Sequence, residues 1–515
     1  MLKKMLALAL ALVLALSLVS CTGGGNKTVG EATTEPLTKD DVVSIYVISH
    51  PTWSFKEDWK VWEYIKENVG CTLEVTGVPG AEAPTKWALM FAAPDTLPDI
   101  LTYDHKPSTD THALSGAIMS FDSQIEYMPN YKKWVDSLSE EDYNTFVNTH
   151  KSFDGEVYYP PVQGRELQEC VRAWLYRKDI FEKHNLEIPE TFDELYEVSK
   201  KLKELYPDSY PFCIRSGVGT TKVLGSSFKE YWEPEYYYDY NNEKWSYGAT
   251  EDTMLEVITF YKKMVAEGLM PSNFITIPTS EWQSLVSTDR GFIFPDYMTR
   301  IDNFNSVVRQ SNPEFTVSAM MPPVANAETG VAKVAKQNYD ALGMVICNTR
   351  DEKRIANAAK YIDWFYTEEA RQIVSWGKEG ETYEVVDGKK QYIKDAAGNT
   401  PKFLYGFGTH GTFTLLDPEA IASGDSKEIN EVREMVLDYS VPYMNPTNYL
   451  AVNNEEQKVL DEYYVAIQNY TQEMFTKMVL GQEPLSIFDE YKETLVEMGV
   501  NEVLAAYESA YARVK

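Results

Sequence analysis

Val42-Val43-Ser44-Ile45-Tyr46-Val47-Ile48 is a short run rich in β-branched residues, and it reads as a strand. A loop carrying His50, Pro51 and Trp53 follows. Next comes a helix whose apolar face is spaced by Trp62, Ile65 and Val69 and which Gly70 ends. Thr72 to Val78 supplies a second strand. A helix around Thr85 to Ala93 then leads through Leu97-Pro98-Asp99 to a third strand, Ile100-Leu101-Thr102-Tyr103. The order is β-α-β-α-β, and alternation at this spacing predicts a largely parallel sheet covered by helices on both faces. Ligands of such sheets bind at the loops beyond the carboxyl ends of the strands, which here places His50 to Trp53 and Tyr103 to His105 on binding loops.

Outward from this core, helical spacing dominates. Thr191-Phe192-Asp193-Glu194 reads as a capping box that opens a helix striped by Leu195, Val198, Leu202 and Leu205, before Pro207. Met254, Val257, Ile258, Tyr261, Met264 and Val265 mark another amphipathic helix, ended at Glu267-Gly268. Ile355, Ala359, Ile362 and Tyr366 repeat the pattern, and Leu460, Ile467, Met474 and Met478 carry it into a largely helical last hundred residues. No repeat of fixed period and no heptad array appears, which sets aside solenoids and coiled coils.

The N-terminus is of a different kind. Lys3 and Lys4 precede an apolar run from Met5 to Leu18 that ends in Leu18-Val19-Ser20-Cys21. A basic region, a short apolar region and small residues before a cut describe an export signal, too short for a comfortable bilayer span. A cysteine directly after the cut is what a bacterial lipobox requires, because its thiol takes a diacylglyceryl group, and Leu18 to Cys21 resembles that box. Residues 1–20 therefore read as a lipoprotein signal peptide and Cys21 as the lipidation site, two or three acyl chains giving a durable anchor; an ordinary secretory signal with a coincidental cysteine is the alternative. Residues 21–39, with three consecutive glycines and hardly any large apolar side chain, read as a flexible tether. No later apolar stretch approaches the ~20 residues of a membrane span, so contact with the membrane is by the lipid anchor only.

The chain has 515 residues, and the body beyond the tether exceeds what one core supports, so two lobes are expected. With 48 Lys and Arg against 78 Asp and Glu, the formal charge of -30 excludes a nucleic-acid partner. Tyr, Trp and Phe make up 13% of the chain. Tyr and Trp join a flat apolar face to a polar handle, which suits sugars, whose own surface alternates C–H patches with hydroxyls. Cys71, Cys170, Cys213 and Cys347 are widely spaced, with no Cys-x-x-Cys and no nearby His pair, and read as buried thiols with no metal site and no cofactor, disulfides being the alternative for an exported chain.

In this order the residues resemble a known family, the extracellular solute-binding lipoproteins of ABC importers, within the sugar-binding group that includes maltose-binding protein, and nearest the larger LipO-like subgroup. The likeness is carried by the lipobox, by Pro98-Asp99-Ile100-Leu101, and by Trp174-Leu175-Tyr176-Arg177-Lys178-Asp179 running into Asn185 to Phe192. Gly291-Phe292-Ile293-Phe294, Ala359 to Phe365, Trp376-Gly377-Lys378-Glu379-Gly380, Gly481 to Leu485 and Ala510 to Arg513 complete it. The resemblance implies an α/β, two-lobe periplasmic-binding-protein-like fold of type II, with discontinuous lobes joined by a hinge that the chain crosses two or three times. Lobe 1 is placed at 40–165 and 340–375, lobe 2 at 166–335 and 376–515. It also implies a carbohydrate ligand, an oligosaccharide held in the interlobe cleft, and delivery to ABC-transporter permease subunits by a monomeric binding protein at the extracytoplasmic face.

Sugar recognition calls for aromatic faces together with carboxylates, amides and guanidinium groups. Tyr103 and Asp104 follow the third strand, where the family presents such contacts, and Trp53 on the first loop is open between contact and packing. In lobe 2, Trp174 and Arg177 lie near an expected lobe crossing. Asp296 and Tyr297 follow the Gly291 strand, where the family places an aromatic at the sugar. Arg177 also reads as a structural ion-pair partner, and Trp232, among Tyr236, Tyr237 and Tyr238, as a surface aromatic cluster. Trp376 and Glu379 sit in a Gly-flanked turn that could reach the cleft or simply follow a helix end. A sugar-active hydrolase is the rival class, but no Gly-x-Ser-x-Gly elbow, His-Glu-x-x-His helix or phosphate loop is present, and no carboxylate pair stands out. Within the binding class, peptide or another polar solute is the alternative ligand. The sequence reads as a binding protein and not an enzyme.

Overall fold

The computed structural model describes residues 32–49, 54–103, 106–164, 172–215, 218, 221–325, 333, 343–396, 398–407, 413–440 and 450–513. Its strands, in chain order, are β1 (Val42–Ser49), β2 (Thr72–Pro79), β3 (Ile100–Tyr103), β4 (Ile118–Met119), β5 (Arg172–Arg177), β6 (Tyr236–Asp239), β7 (Lys244–Tyr247), β8 (Ile293–Tyr297), β9 (Val317–Met320), β10 (Gly343–Cys347), β11 (Tyr383–Val386) and β12 (Lys389–Tyr392).

The first sheet has the order β2-β1-β3-β10-β4. β1 runs parallel to β2 from Val42 opposite Thr72 to Ser49 opposite Pro79, and parallel to β3 at Ile45 and Tyr46. β10 enters from far along the chain and pairs antiparallel with β3 on one side and β4 on the other. Successive residues point to opposite faces, so each strand feeds two packed layers. Val43, Ile45, Val47, Ile100, Met344 and Ile346 meet the helices Lys60–Asn68 and Glu352–Trp364 on one face. Val78, Leu101, Val345 and Cys347 meet Trp87 of the helix Ala83–Ala92 on the other. The βαβαβ expectation is met in order and direction. Gly70, which ends the first helix, has φ +86°, and a Cβ there would stand 3.0 Å from the Leu37 carbonyl oxygen.

The second sheet is antiparallel, with β5 between β8 and β9. It too is covered on both sides. Trp174, Tyr176, Ile293 and Met320 join a core with the helices Phe192–Leu205, Asp252–Ala266 and Asn454–Val479. Ala173, Leu175, Phe294 and Val317 join another with the helices Thr279–Ser287, Arg300–Val308 and Lys427–Ser440. The capping box expected at Thr191 is formed, with the Glu194 amide donating to the Thr191 hydroxyl and the Thr191 amide to the Glu194 carboxylate.

One boundary needs correcting. The reading of 376–515 as a single piece of the second lobe fails for its first part, because Phe407, Phe413, Leu416 and Ile421 are buried in the core of the first sheet. Leu415 also bridges to Gln163, and a Cβ on Gly406, at φ +77°, would stand 2.3 Å from the Trp59 ring. The chain leaves the first sheet's cores after Gly164, returns to them at β10, and leaves again between Gly424 and the helix Lys427–Ser440. Composition gave no hint of this last crossing, because the Gly-flanked turn at 377–380 looks like a boundary and is only a hairpin entrance.

Cys71, Cys213 and Cys347 are buried free thiols, and burial pushes the Cys71 thiol up to about 12. Cys170 and Cys21 lie outside the described residues. No helix among those described is long and apolar enough to cross a membrane.

Candidate functional site

The site is built from strand ends. β3 terminates at Tyr103, whose backbone pairs with Gly343 at the start of β10, so the first sheet ends where the chain has just returned from the second. In the second sheet, β8 terminates at Asp296 and Tyr297, and β5 begins at Arg172, directly across from Tyr297. Trp53 and Asp104 lie outside the described residues.

Asp296 is fully buried and saturated with donors. Arg215 grips it through Nε at 2.6 Å and Nη2 at 2.9 Å, Arg300 adds its Nε at 3.3 Å, and the Tyr297 amide donates at 2.7 Å. Burial drives its pKa upward, but the guanidinium groups of Arg215, Arg300 and Arg172 outweigh that and hold the carboxyl below its ordinary value. Asp296 is therefore a structural anchor, fixing the two arginines that flank the strand end. Arg215 and Arg300 also stand over the Trp282 ring, 5.2 and 5.6 Å from its centroid. Tyr297 is half-buried, with Arg172 stacked over its ring at 4.3 Å and donating to its hydroxyl at 3.3 Å.

A groove of about 1020 Å³ runs between the lobes. Ser54, Lys56, Trp59 and Asn399 line it from the first lobe, Gln283 and Asn303 from the second. Amides, hydroxyls and an indole edge alternate there with charged groups of both signs, Lys56, Arg309, Lys394, Asp302 and Glu428, so the wall is polar throughout. Asp302 also reaches this groove, accepting from the Ser426 amide at 3.1 Å while its other oxygen is buried without a partner. With no cation bonded to it, burial pushes its pKa up to about 6. Among the described residues, no group of three or more His, Cys, Asp or Glu side chains is placed to hold a metal ion.

Several sequence candidates are packing residues. Trp174 is fully buried on β5, stacked on Phe212 at 6.0 Å and edge-on to Phe192 at 6.1 Å. Trp232 is buried so tightly against Gly225 that a Cβ there would lie 2.0 Å from its ring. Trp376 is buried against Tyr383 and Tyr392 and donates to Asp417 at 2.8 Å. Arg177 is fully buried and paired with Asp179 and Asp289, each at 2.7 Å, which is the ion-pair alternative held open for it. Glu379 is exposed in the turn before β11, bridged to Tyr383. What the candidates shared was residue type, and type does not separate an indole that stacks on a ligand from one that stacks on Phe212. Arg172, Arg215 and Asp302 were missed. Arg300 had a signal, since it stands four residues beyond Asp296, a helical pairing distance.

The model of the family described as bacterial extracellular solute-binding protein matches residues 54–372. The chain belongs to that family. Among its curated relatives, this solute-binding protein is 21% identical to lipoprotein LipO of Bacillus subtilis over 465 residues, covering 88% of each chain. It is 26% identical to the fructooligosaccharide ABC transporter substrate-binding protein FusA of Streptococcus pneumoniae over 453 residues, covering 81% of this chain and 80% of FusA. Among solved structures, the alginate-binding protein AlgQ2, in a crystal form without calcium ion, superposes with a TM-score of 0.74 at 20% identity, covering 95% of this chain and 100% of that one. The solute-binding protein therefore has the two-lobe, type II fold of these proteins.

Proposed function

We propose that this solute-binding protein captures an extracellular oligosaccharide between its lobes and delivers it to the permease of an ABC importer, making and breaking no bond. The observation that carries this reading is the groove between two separately packed lobes, lined by amides, hydroxyls, charged groups and the rings of Trp59 and Phe304. Relatives that bind fructooligosaccharide and alginate support carbohydrate as the ligand class. Ligand contacts made from both sides favour the closed arrangement of the lobes, and closure is what a permease can distinguish from the empty state. Tyr103, Asp104 and Trp53 are the candidate contacts from lobe 1, and Tyr297 the candidate from lobe 2, by their places in the sequence after predicted strands. An export signal at 1–20, a lipidated Cys21 and a tether over 21–39 would hold the protein as a monomer at the extracytoplasmic face of the cell membrane.

Thermal-shift screening of the full chain against mono- and oligosaccharides and short peptides tests this. A ligand that binds only the folded state raises the melting temperature, by an amount that grows with its concentration above Kd. Stabilisation by an oligosaccharide that is recovered intact is the expected result. Stabilisation by peptides alone, or steady release of shorter sugars, would overturn it.

A further inference from the structure

The chain makes its last passage between the lobes at Gly424, and it is fastened on both sides of that residue. Ile421, three residues earlier, is buried in the core of the first sheet. The Ser423 hydroxyl accepts from the Tyr392 amide of β12 at 3.0 Å, which ties the residue before Gly424 to lobe 1. Beyond Gly424, Asp425 is paired with Arg433 of the helix Lys427–Ser440. The Ser426 amide donates to Asp302, on the helix Arg300–Val308, at 3.1 Å, and Ile429 is buried in a core of the second sheet. Between the two fastenings stands Gly424, and the hydrogen bond that spans it, from the Asp425 amide to the Ala422 carbonyl, is long at 3.3 Å. Neither usual need for glycine applies here. Its φ is not in the left-handed region, and a Cβ would stand 3.5 Å from the Tyr392 ring and 3.7 Å from Lys402 Cδ, which is ordinary contact. It also closes the helix Pro418–Gly424, where alanine is the more favourable residue. What glycine does supply is the widest choice of φ and ψ.

We infer that the lobes turn about the backbone of Gly424, with Ser423 as its mount on lobe 1 and the Asp302–Ser426 and Arg433–Asp425 pairs as its mount on lobe 2. This rests on the capture reading above and names the residue that governs closure. Hinges absorb large changes of φ and ψ at a few residues while the packed bodies on either side stay as they are. Gly424, Asp425 and Ser426 line the interlobe groove, so rotation at Gly424 widens or narrows it without disturbing either core. Asp302 is a positioning residue in this device. By holding the Ser426 amide it keeps the bend from spreading into the start of the helix Lys427–Ser440, whose Ile429 amide donates to the Ser426 hydroxyl at 3.1 Å.

The test is the distribution of lobe-to-lobe distances in the full chain, read by electron double resonance between spin labels on ketone-bearing residues. Two exposed pairs carry the labels, Lys132 with Glu197 and Glu74 with Glu490. Each sample is measured alone and with a mixture of fructo-, malto- and galacturono-oligosaccharides. The parent is expected to show a broad distribution or a shift with sugar. In Gly424→Ala the breadth or the shift should fall by about half, because alanine is confined to fewer φ and ψ regions. Its unliganded melting temperature should stay level or rise, since the methyl group fits as the protein stands. Ala422→Gly, which loosens an exposed helical residue on the lobe 1 side, should change nothing, and Asp302→Ala should broaden the distribution by unpinning Ser426. Lobe motion that Gly424→Ala leaves as in the parent, in both label pairs, would overturn the pivot and leave capture between the lobes standing. A parent fixed at one narrow distance with and without the sugars would overturn both. If Gly424→Ala does not fold, Ser423→Ala decides in the opposite sense: releasing the lobe 1 mount must broaden the distribution, and an unchanged width would refute the assignment.

Discussion

Two buried aspartates, one on each sheet, show how the same residue serves different ends. Asp99 stands at the entry of β3, buried, and accepts from the Ser44 amide and hydroxyl at 2.7 Å each and from Arg354 Nε at 2.6 Å. One carboxylate meets one guanidinium there, and Arg354 is partly exposed, so water shares the burden. Asp296 stands at the exit of β8 with two arginines bonded to it and a third alongside, so positive charge exceeds what it can balance. The first arrangement closes on itself at the end of the sheet remote from the lobe crossings. The second is left open where the chain passes between lobes. Both aspartates are architectural, one balanced by a single guanidinium and the other holding more positive charge than it cancels.

The comparison is most severely tested by Asp296→Ala, which strands Arg215 and Arg300 in a nearly dry site. Denaturant unfolding should show a loss of about 3–5 kcal/mol, and a loss below 1 kcal/mol would mean that the arginines find water and the cluster is not a unit. Asp302 sharpens the contrast as a half-buried aspartate with one buried, unpartnered oxygen, no cation bonded to it, and its pKa raised from 3.8 to about 6 by burial. A group raised in the folded state stabilises fully below its unfolded pKa, and that stabilisation is lost as pH rises through about 6. Asp302→Asn should therefore be more stable than the parent at pH 8, on the order of 2 kcal/mol, and indistinguishable from it at pH 4. A pH-independent difference would refute the assignment. Asp99→Ala comes next, at about 1–2 kcal/mol, because Arg354 can turn outward; a cost equal to that of Asp296→Ala would erase the distinction drawn here. The smallest change is expected for Arg172→Gln, within about 0.5 kcal/mol in unliganded stability, since its one hydrogen bond, to the Tyr297 hydroxyl, is long at 3.3 Å. A large loss would make Arg172 a structural residue.

The sequence carried the first sheet well because its signals are local. β-branched runs, an apolar helical face and a glycine at positive φ are each set within a dozen residues, and Val42 to Tyr103 folds as that pattern dictates. The capping box at Thr191 is legible for the same reason. The antiparallel second sheet was not, since β5, β8 and β9 are buried on both faces and show no alternation. Membership of 376–424 in the first lobe depends on contacts such as Leu415 with Gln163, for which linear order holds no clue. Asp296 and Tyr297 stand at the end of β8, as their place after the Gly291 strand predicts. The grip of Arg215 on Asp296 was not legible, because Arg215 comes from a loop far away in sequence. Arg172, two residues before a tryptophan chosen for its ring, was passed over because an unpaired charge is a property of three dimensions.

The strand β10 has a consequence for how the molecule comes into being. It sits between β3 and β4, and among the described residues β4 has no other neighbour. A chain synthesised from its amino end must carry β3 with one flank open until the whole second sheet has been made, because the filler arrives only afterwards. Such late, long-range pairing is slow and leaves an unprotected edge that invites misassociation. Maturation of the earlier half is thereby made to wait for the later one, and a truncated product lacking β10 would be marked for clearance by that bare edge.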